Sequence, residues 1–242
     1  IEGPSDQGQD DGSRHMGRTP ADRRSGEPAL TFRELNRGKQ LLRLDLREPE
    51  GVTALAEAEV EYKEKSSPAI FVAFRAKDAD FNYVIWTTTP WTLPSNLGIA
   101  LHPDFDYVVA SFANETTPPA NYLVAAALLE EFQKKTGLQL QHELRRVKGA
   151  ALKGGEAEHP FFPRTSKIVT GLFVTAETGT GAVHLAPGHG SDDYNAGREN
   201  NLGLLSPVDD LGRFTNEVGL DFLAGQHVFE ANEPIIALLK EK

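Results

Sequence analysis

Two short stretches hold the residues whose types and spacing allow chemistry. The first, Ile85-Trp86-Thr87-Thr88-Thr89-Pro90-Trp91-Thr92-Leu93-Pro94-Ser95-Asn96, carries both tryptophans of the chain and four threonines. A packed strand that ends abruptly in hydroxyls and a carboxamide presents a polar site at its rim, although Thr and Trp are also ordinary residues of a strand end. The second stretch, Thr178 to Tyr194, lies about ninety residues downstream and contains His184, His189, Asp192 and Asp193. Ser191 reads as an N-cap, which puts Asp192 and Asp193 in the first turn of a helix. The helix dipole stabilises an anion there by about 0.3–1 kcal/mol, so a carboxylate stays charged at neutral pH and can hold an ammonium group. Two acids at a helix start also serve simply as dipole complements. The histidine pair is separated across a Pro-Gly turn and the chain has no cysteine, so no metal is expected. Gly179 and Gly181 permit close backbone approach or positive φ, but the pattern matches neither a phosphate-cradling loop nor a dinucleotide fingerprint. No cofactor is expected.

These residues need elements to position them. Tyr83-Val84-Ile85-Trp86 reads as a buried strand feeding the threonines, stopped by Pro90 and Pro94, which cannot donate ladder hydrogen bonds. Glu59-Val60-Glu61-Tyr62 alternates as a half-buried strand, and Ala69-Ile70-Phe71-Val72-Ala73-Phe74 reads as a more fully buried one. Ile99-Ala100-Leu101 and Tyr107-Val108-Val109-Ala110 continue the series, with Ser66-Ser67-Pro68, Lys77-Asp78-Ala79-Asp80 and His102-Pro103-Asp104 as turns. Ala182 to Leu185 fits a short strand and Pro187 to Gly190 a tight turn. Helices are expected from Ala125 to Lys135, stopped by Gly137, and after Asn232-Glu233-Pro234, with Ile235, Ile236, Leu238 and Leu239 as the buried face. Short strands separated by turn signals favour a barrel or sandwich over a wound parallel sheet.

The 242 residues suffice for one large domain or two small ones, and no apolar run approaches the roughly 20 residues that span a bilayer. The absence of cysteine and of a visible secretory signal points to a cytoplasmic protein without membrane partners. With 25 Lys and Arg against 35 Asp and Glu, the net charge of −10 repels phosphate backbones overall. Any nucleic acid must be met through a local patch or with help from other parts. Residues 1–28 lack apolar periodicity and read as unstructured, and Gly12-Ser13-Arg14-His15-Met16 resembles a cloning scar, so residues 1–16 are set aside as a tag. Residues 17–52 form an unassigned flanking segment, in which a short helix, a strand pair and a linker remain open.

Taken together, Trp86 to Asn96 and Gly179 to Tyr194 resemble the editing domain inserted into isoleucyl-tRNA synthetase, a class I aminoacyl-tRNA synthetase. Ala54 to Tyr62, Ala231-Asn232 and Ala237-Leu238-Leu239 are similar as well, so the resemblance covers about residues 53–242. Relatives that edit for valine and leucine carry Arg where this chain has Thr89 and an acidic residue where it has Trp91, which favours the isoleucine branch. Residues 17–52 do not match the family's aromatic and Cys-containing entry segment. The His-x-Gly-His and Lys-Met-Ser-Lys motifs of the activation site do not occur, so this chain is not expected to activate isoleucine by itself.

The resemblance implies a mainly-β fold, a closed β-barrel with peripheral helices and hairpins. It implies hydrolysis of valine misattached to the 3′ end of the isoleucine tRNA, with valyl-adenylate as a second possible substrate and the rest of the synthetase as partner. By resemblance, Asp193 holds the α-ammonium group, and His184 sits beside the amino-acid side chain and excludes isoleucine by bulk, with a general-base role as the alternative. Thr87, Thr88 and Thr89 position the ester and terminal adenosine, Thr92 shapes the side-chain pocket, and Asn96 bonds the substrate or the attacking water. Gly181, Ala182 and Val183 line the site, His189 braces its turn, Asp192 is mostly structural, and Trp91 packs or stacks on adenine. A non-catalytic module that positions a tRNA end is the competing reading, and a barrel with unrelated ligands a third.

Overall fold

A computed structural model describes residues 68–241, so the tag, the segment 17–52 and the strand expected at Glu59–Tyr62 lie outside the described residues. Strand β1 (Ile70–Arg75) and strand β2 (Asn82–Thr87) form an antiparallel hairpin across the expected turn, in the register Phe71↔Trp86 and Ala73↔Val84. Strand β3 (Gly98–Leu101) follows a 3₁₀ helix, Pro90–Ser95. Strand β4 (Asp106–Ala113) is buried along most of its length, which fits the run Tyr107-Val108-Val109-Ala110 and makes it central to its sheet. Strand β5 (Ala120–Ala125) and the long strand β6 (Gln139–Lys148) flank it. Neither flank was expected from the sequence. β6 is exposed nearly throughout, so it carries none of the alternation that marks a half-buried strand.

The five-stranded sheet has the order β1-β2-β5-β4-β6. A second sheet is built from strand β7 (Glu156–Glu158), strand β8 (Thr165–Thr170), β3 and strand β9 (Ala182–Leu185), in the order β7-β8-β3-β9. Both sheets are mixed, because β2 pairs parallel to β5 and β3 parallel to β8. The mainly-β expectation holds. The hydrogen-bonded ladders, however, form two sheets and not one closed ring among the described residues. At one side the sheets touch through a bridge between Ala76 and Ala157. At the other, β2 leaves β5 after Tyr83, and Thr180 fills the gap: its hydroxyl donates to Val84 O and its carbonyl accepts Ala125 N–H at 2.8 Å.

Rings pack between these layers. Phe132 sits edge-on to Phe71 and Phe112, at 5.5 and 5.2 Å between centroids, and comes from helix α1 (Leu129–Thr136). The helix expected from Ala125 starts later, after a 3₁₀ turn at Ala126–Leu128, and ends as expected at Gly137, whose φ of 72° a side chain would resist. Helix α2 (Ser191–Asn200) covers the outer face of the second sheet, where Ala196 meets Ala100, Val169 and Leu185. It can approach because residue 197 is glycine: a Cβ there would stand 2.7 Å from Pro187 Cγ. Helix α3 (Asn232–Lys240) buries Ile235 fully and Ile236, Leu238 and Leu239 in part. Its N-cap is Ala231, and Asn232 does something other than cap: its Oδ1 accepts Trp91 N–H at 3.0 Å. Among the described residues no helix is long and apolar enough to cross a membrane.

Candidate functional site

The two chemistry-bearing stretches meet. Pro90 opens the 3₁₀ helix at a position where its missing N–H costs nothing, and Thr92 N–H closes the turn on Thr89 O at 3.0 Å. This short helix turns Thr92, Ser95 and Trp91 towards β9 and the turn beyond it. Thr92 Oγ1 lies 2.9 Å from His184 Nε2, Ser95 Oγ lies 2.8 Å from His189 Nε2, and the Trp91 indole sits edge-on to the His189 ring at 5.0 Å. His189 therefore braces its turn against the threonine segment, and its own N–H bonds Ala186 O at 2.8 Å.

Proton bookkeeping fixes the direction of the buried network. Asn96 Nδ2 donates to Gly98 O at 3.0 Å, and a carbonyl only accepts, so the carboxamide has one orientation. Its Oδ1 then accepts from Ser166 Oγ at 2.5 Å, and its second N–H faces His184 Nδ1 at 3.3 Å. Thr92 gives its only proton to Thr89 O at 2.9 Å, so it must accept from His184 Nε2. His184 is thus neutral and carries its proton on Nε2. Burial holds its pKa down to about 4, with His189 adding to the effect.

Asn96 is fully buried, with its two N–H groups directed to Gly98 O and His184 Nδ1. His184 is 8% exposed, with both ring nitrogens engaged by Thr92 and Asn96. Thr87 is buried, and its Oγ1 accepts Thr89 N–H at 3.0 Å, while Thr88 and Thr89 are exposed at the rim.

Strand alternation separates His184 from its neighbours. His184 and Ala182 face the main core side, whereas Val183 and Leu185 face the outer side under α2. Gly181, Ala182 and Val183 line a cleft of about 250 Å³ together with Trp86, Phe173 and Thr178. Gly181 has φ 78°, and a Cβ there would fall 2.5 Å from Ala125 Cβ. Its carbonyl accepts the Tyr107 hydroxyl at 2.5 Å, and burial pushes that hydroxyl's pKa up to about 12.

At the far end of the turn, α2 begins at Ser191, with Gly190 as N-cap, so Asp192 and Asp193 stand in the first turn as expected while Ser191 does not cap it. Asp192 is exposed. Asp193 is half-buried, and its Oδ2 accepts Ala186 N–H at 2.8 Å, tying the helix start to the end of β9. Burial raises its pKa; the Ala186 hydrogen bond opposes this and Asp192 adds to it. Desolvation therefore works against the dipole here, and a cation placed against Oδ1 would restore the charged form.

Sequence reading missed the supports. Besides Ser166, His159 Nε2 donates to Leu93 O at 3.0 Å, its Nδ1 accepts the N–H groups of Phe161 and Phe162, and Arg164 donates to Pro94 O. Burial pushes the His159 pKa down to about 3, so it too is neutral. A faint signal existed for Ser166: in Thr-Ser-Lys-Ile-Val it shares the buried register of Ile168, and a hydroxyl there needs a partner.

No family model matches the chain. Among curated proteins it is 49% identical over 193 residues to an isoleucine–tRNA ligase of Thermotoga maritima, covering 78% of this chain and 20% of the relative. An isoleucine–tRNA ligase of Sulfurihydrogenibium is 50% identical over 190 residues, again 78% of this chain and 20% of the relative. The chain thus spans about a fifth of the length of these relatives. Among solved structures, the editing domain of the Plasmodium knowlesi cytosolic leucyl-tRNA synthetase has a TM-score of 0.55 at 10% identity, covering 75% of this chain and 97% of that one. GlLeuRS-CP1 has a TM-score of 0.54 at 13% identity, with coverage of 72% and 96%. At such identity the likeness speaks for the fold. Sequence and fold agree: over 78% of its length the chain is homologous to a segment of isoleucine–tRNA ligases that makes up about a fifth of those proteins, and it shares the fold of leucyl-tRNA synthetase editing domains.

Proposed function

We propose that this chain is a hydrolytic editing module, which cleaves valine from the 3′ end of the isoleucine tRNA. The single observation that carries the reading is the buried network from Ser166 through Asn96 and His184 to Thr92, with His189 beside it. It joins the threonine rim and the Asp193 turn into one rigid wall. In this reading Asp193 Oδ1 receives the α-ammonium, while its Oδ2 stays on Ala186 N–H. Thr88 and Thr89 at the rim position the ester and terminal adenosine, with Thr87 fixing Thr89 from below. Thr92 and His184 bound the side-chain pocket, and His184 acts by bulk because its nitrogens are occupied.

Water attacks the ester carbonyl, assisted by the neighbouring ribose hydroxyl; the acyl C–O bond breaks, valine leaves, and the ribose oxygen takes a proton. Positioning and electrostatic stabilisation supply the rate. The need for such a site comes from the limit on discriminating one methylene, worth about 1–3 kcal/mol in an apolar pocket. Valyl-adenylate is a second candidate substrate, and the remainder of a synthetase the partner that brings the tRNA, in the cytoplasm. The two sheets, touching at Ala76–Ala157 and around Thr180, fit a barrel closed by these contacts.

The test is deacylation of valyl-tRNA for isoleucine and binding of a valyl-adenosine amide analogue. Asp193→Ala is expected to abolish both with the fold retained by circular dichroism; wild-type deacylation by that variant would refute the role of Asp193. A module that only positions the tRNA end would bind the analogue and hydrolyse nothing.

A further inference from the structure

We infer that Ser166, acting through Asn96, is a positioning residue that keeps His184 in its Nε2–H tautomer and so leaves the side-chain pocket without a free hydrogen-bond donor. The geometry stands by itself; its consequence for selectivity rests on the proposed editing function. Every step is forced by the partners. Ser166 is fully buried, and its hydroxyl meets an oxygen, Asn96 Oδ1, that can only accept. Asn96 Nδ2 is held by Gly98 O and offers its other proton to His184 Nδ1. With Nδ1 accepting, the proton of the neutral ring sits on Nε2 and goes to Thr92, whose own proton goes to Thr89 O.

The proton direction runs one way, from β8 through the 3₁₀ helix to the rim. Reversing it would turn the Thr92 hydroxyl towards His184 and leave Thr89 O with the Thr92 N–H alone. A pocket for an apolar side chain requires this pairing, because an unpaired polar atom in its wall would favour water or a polar group over a methyl. The same β7–β8 hairpin holds the 3₁₀ helix at two adjacent carbonyls, with His159 on Leu93 and Arg164 on Pro94, and the hairpin closes on itself through His159 N–H to Arg164 O at 3.0 Å. Ser166 therefore acts from a surface already fixed against the segment it controls.

The tautomer is read directly from long-range ¹H–¹⁵N correlation spectra of the ¹⁵N-labelled chain at pH 7, with His184 assigned by loss of its signals in His184→Gln. The unchanged chain should show a protonated Nε2 and an unprotonated Nδ1; a protonated Nδ1 there overturns the inference and requires no variant to fold. Asn96→Asp, which places a carboxylate oxygen against Nδ1, should move the proton onto Nδ1. Ser166→Ala should give a mixture of tautomers, and the ratio of affinities for valyl- and isoleucyl-adenosine amide analogues should fall about tenfold. Retention of the Nε2–H signature in Asn96→Asp, or an unchanged tautomer and ratio in Ser166→Ala, overturns the assignment. If the unchanged chain binds neither analogue while the tautomer responds as expected, the editing function fails and the positioning role stands.

Discussion

Acidification should unfold this domain through two histidines that are buried without charge. His184 is held down to about 4 and His159 to about 3, both first of all by burial. In the unfolded chain each returns to about 6.5. A group whose pKa is depressed by folding contributes stability above the unfolded value and loses it as pH falls towards the folded one, because the unfolded state binds the extra proton first. Between pH 7 and pH 5 the loss is about 2 kcal/mol per histidine, or about 4 kcal/mol together. That is a large part of the 5–15 kcal/mol typical of a domain. His189, also lowered by burial, adds in the same direction. Asp193 acts oppositely, since its raised pKa gives a contribution that is lost as pH rises. The assay is urea unfolding at pH 7, 6 and 5, followed by the fluorescence of Trp86 and Trp91; Trp91 packs on His189 within the affected region. His184→Gln should start lower but lose only about half as much on acidification. Wild-type stability at pH 5 within about 1 kcal/mol of that at pH 7 would refute the reasoning, since two buried neutral imidazoles cannot avoid this linkage.

Other expectations follow from single contacts. Affinity for a valyl-adenosine amide analogue should weaken as pH falls through the raised pKa of Asp193, and this acid limb should vanish in Asp193→Asn along with most of the affinity. Gly181→Ala should destabilise by about 1–3 kcal/mol or more in denaturant unfolding, because it combines a positive φ with a Cβ 2.5 Å from Ala125 Cβ. Tyr107→Phe should cost about 1–3 kcal/mol by the same measurement, since Gly181 O is left buried without its donor. With its net charge of −10, the chain should bind whole tRNA weakly; tight, salt-sensitive binding in a filter assay would contradict that.

The chemistry-bearing stretches were legible in the sequence because their residues are local. Thr87 to Asn96 and His184 to Asp193 announce themselves by composition, and Gly and Pro punctuate them at turns the structure confirms, such as His189 N–H on Ala186 O. Strands β1 to β4 were legible because burial of one or both faces writes itself into an apolar pattern. β6 was not, since an exposed strand owes its place to the ladder with β4 and not to its side chains. The helix caps slipped by one residue at both Ser191 and Asn232, where a polar side chain next to a helix start had another partner or none.

What the sequence determined by itself is the set of groups available near the rim: hydroxyls, an imidazole and a carboxylate, with no thiol. What only the tertiary structure decided is which of them are free. Asn96 is engaged by Gly98, Ser166 and His184, partners up to 88 residues away. Hydrogen-bond capacity is a property of residue type, but its satisfaction depends on neighbours brought from distant strands. For the same reason Asp193 keeps its place at a helix start, as the local pattern requires, while its protonation is governed by burial under elements the local pattern does not contain.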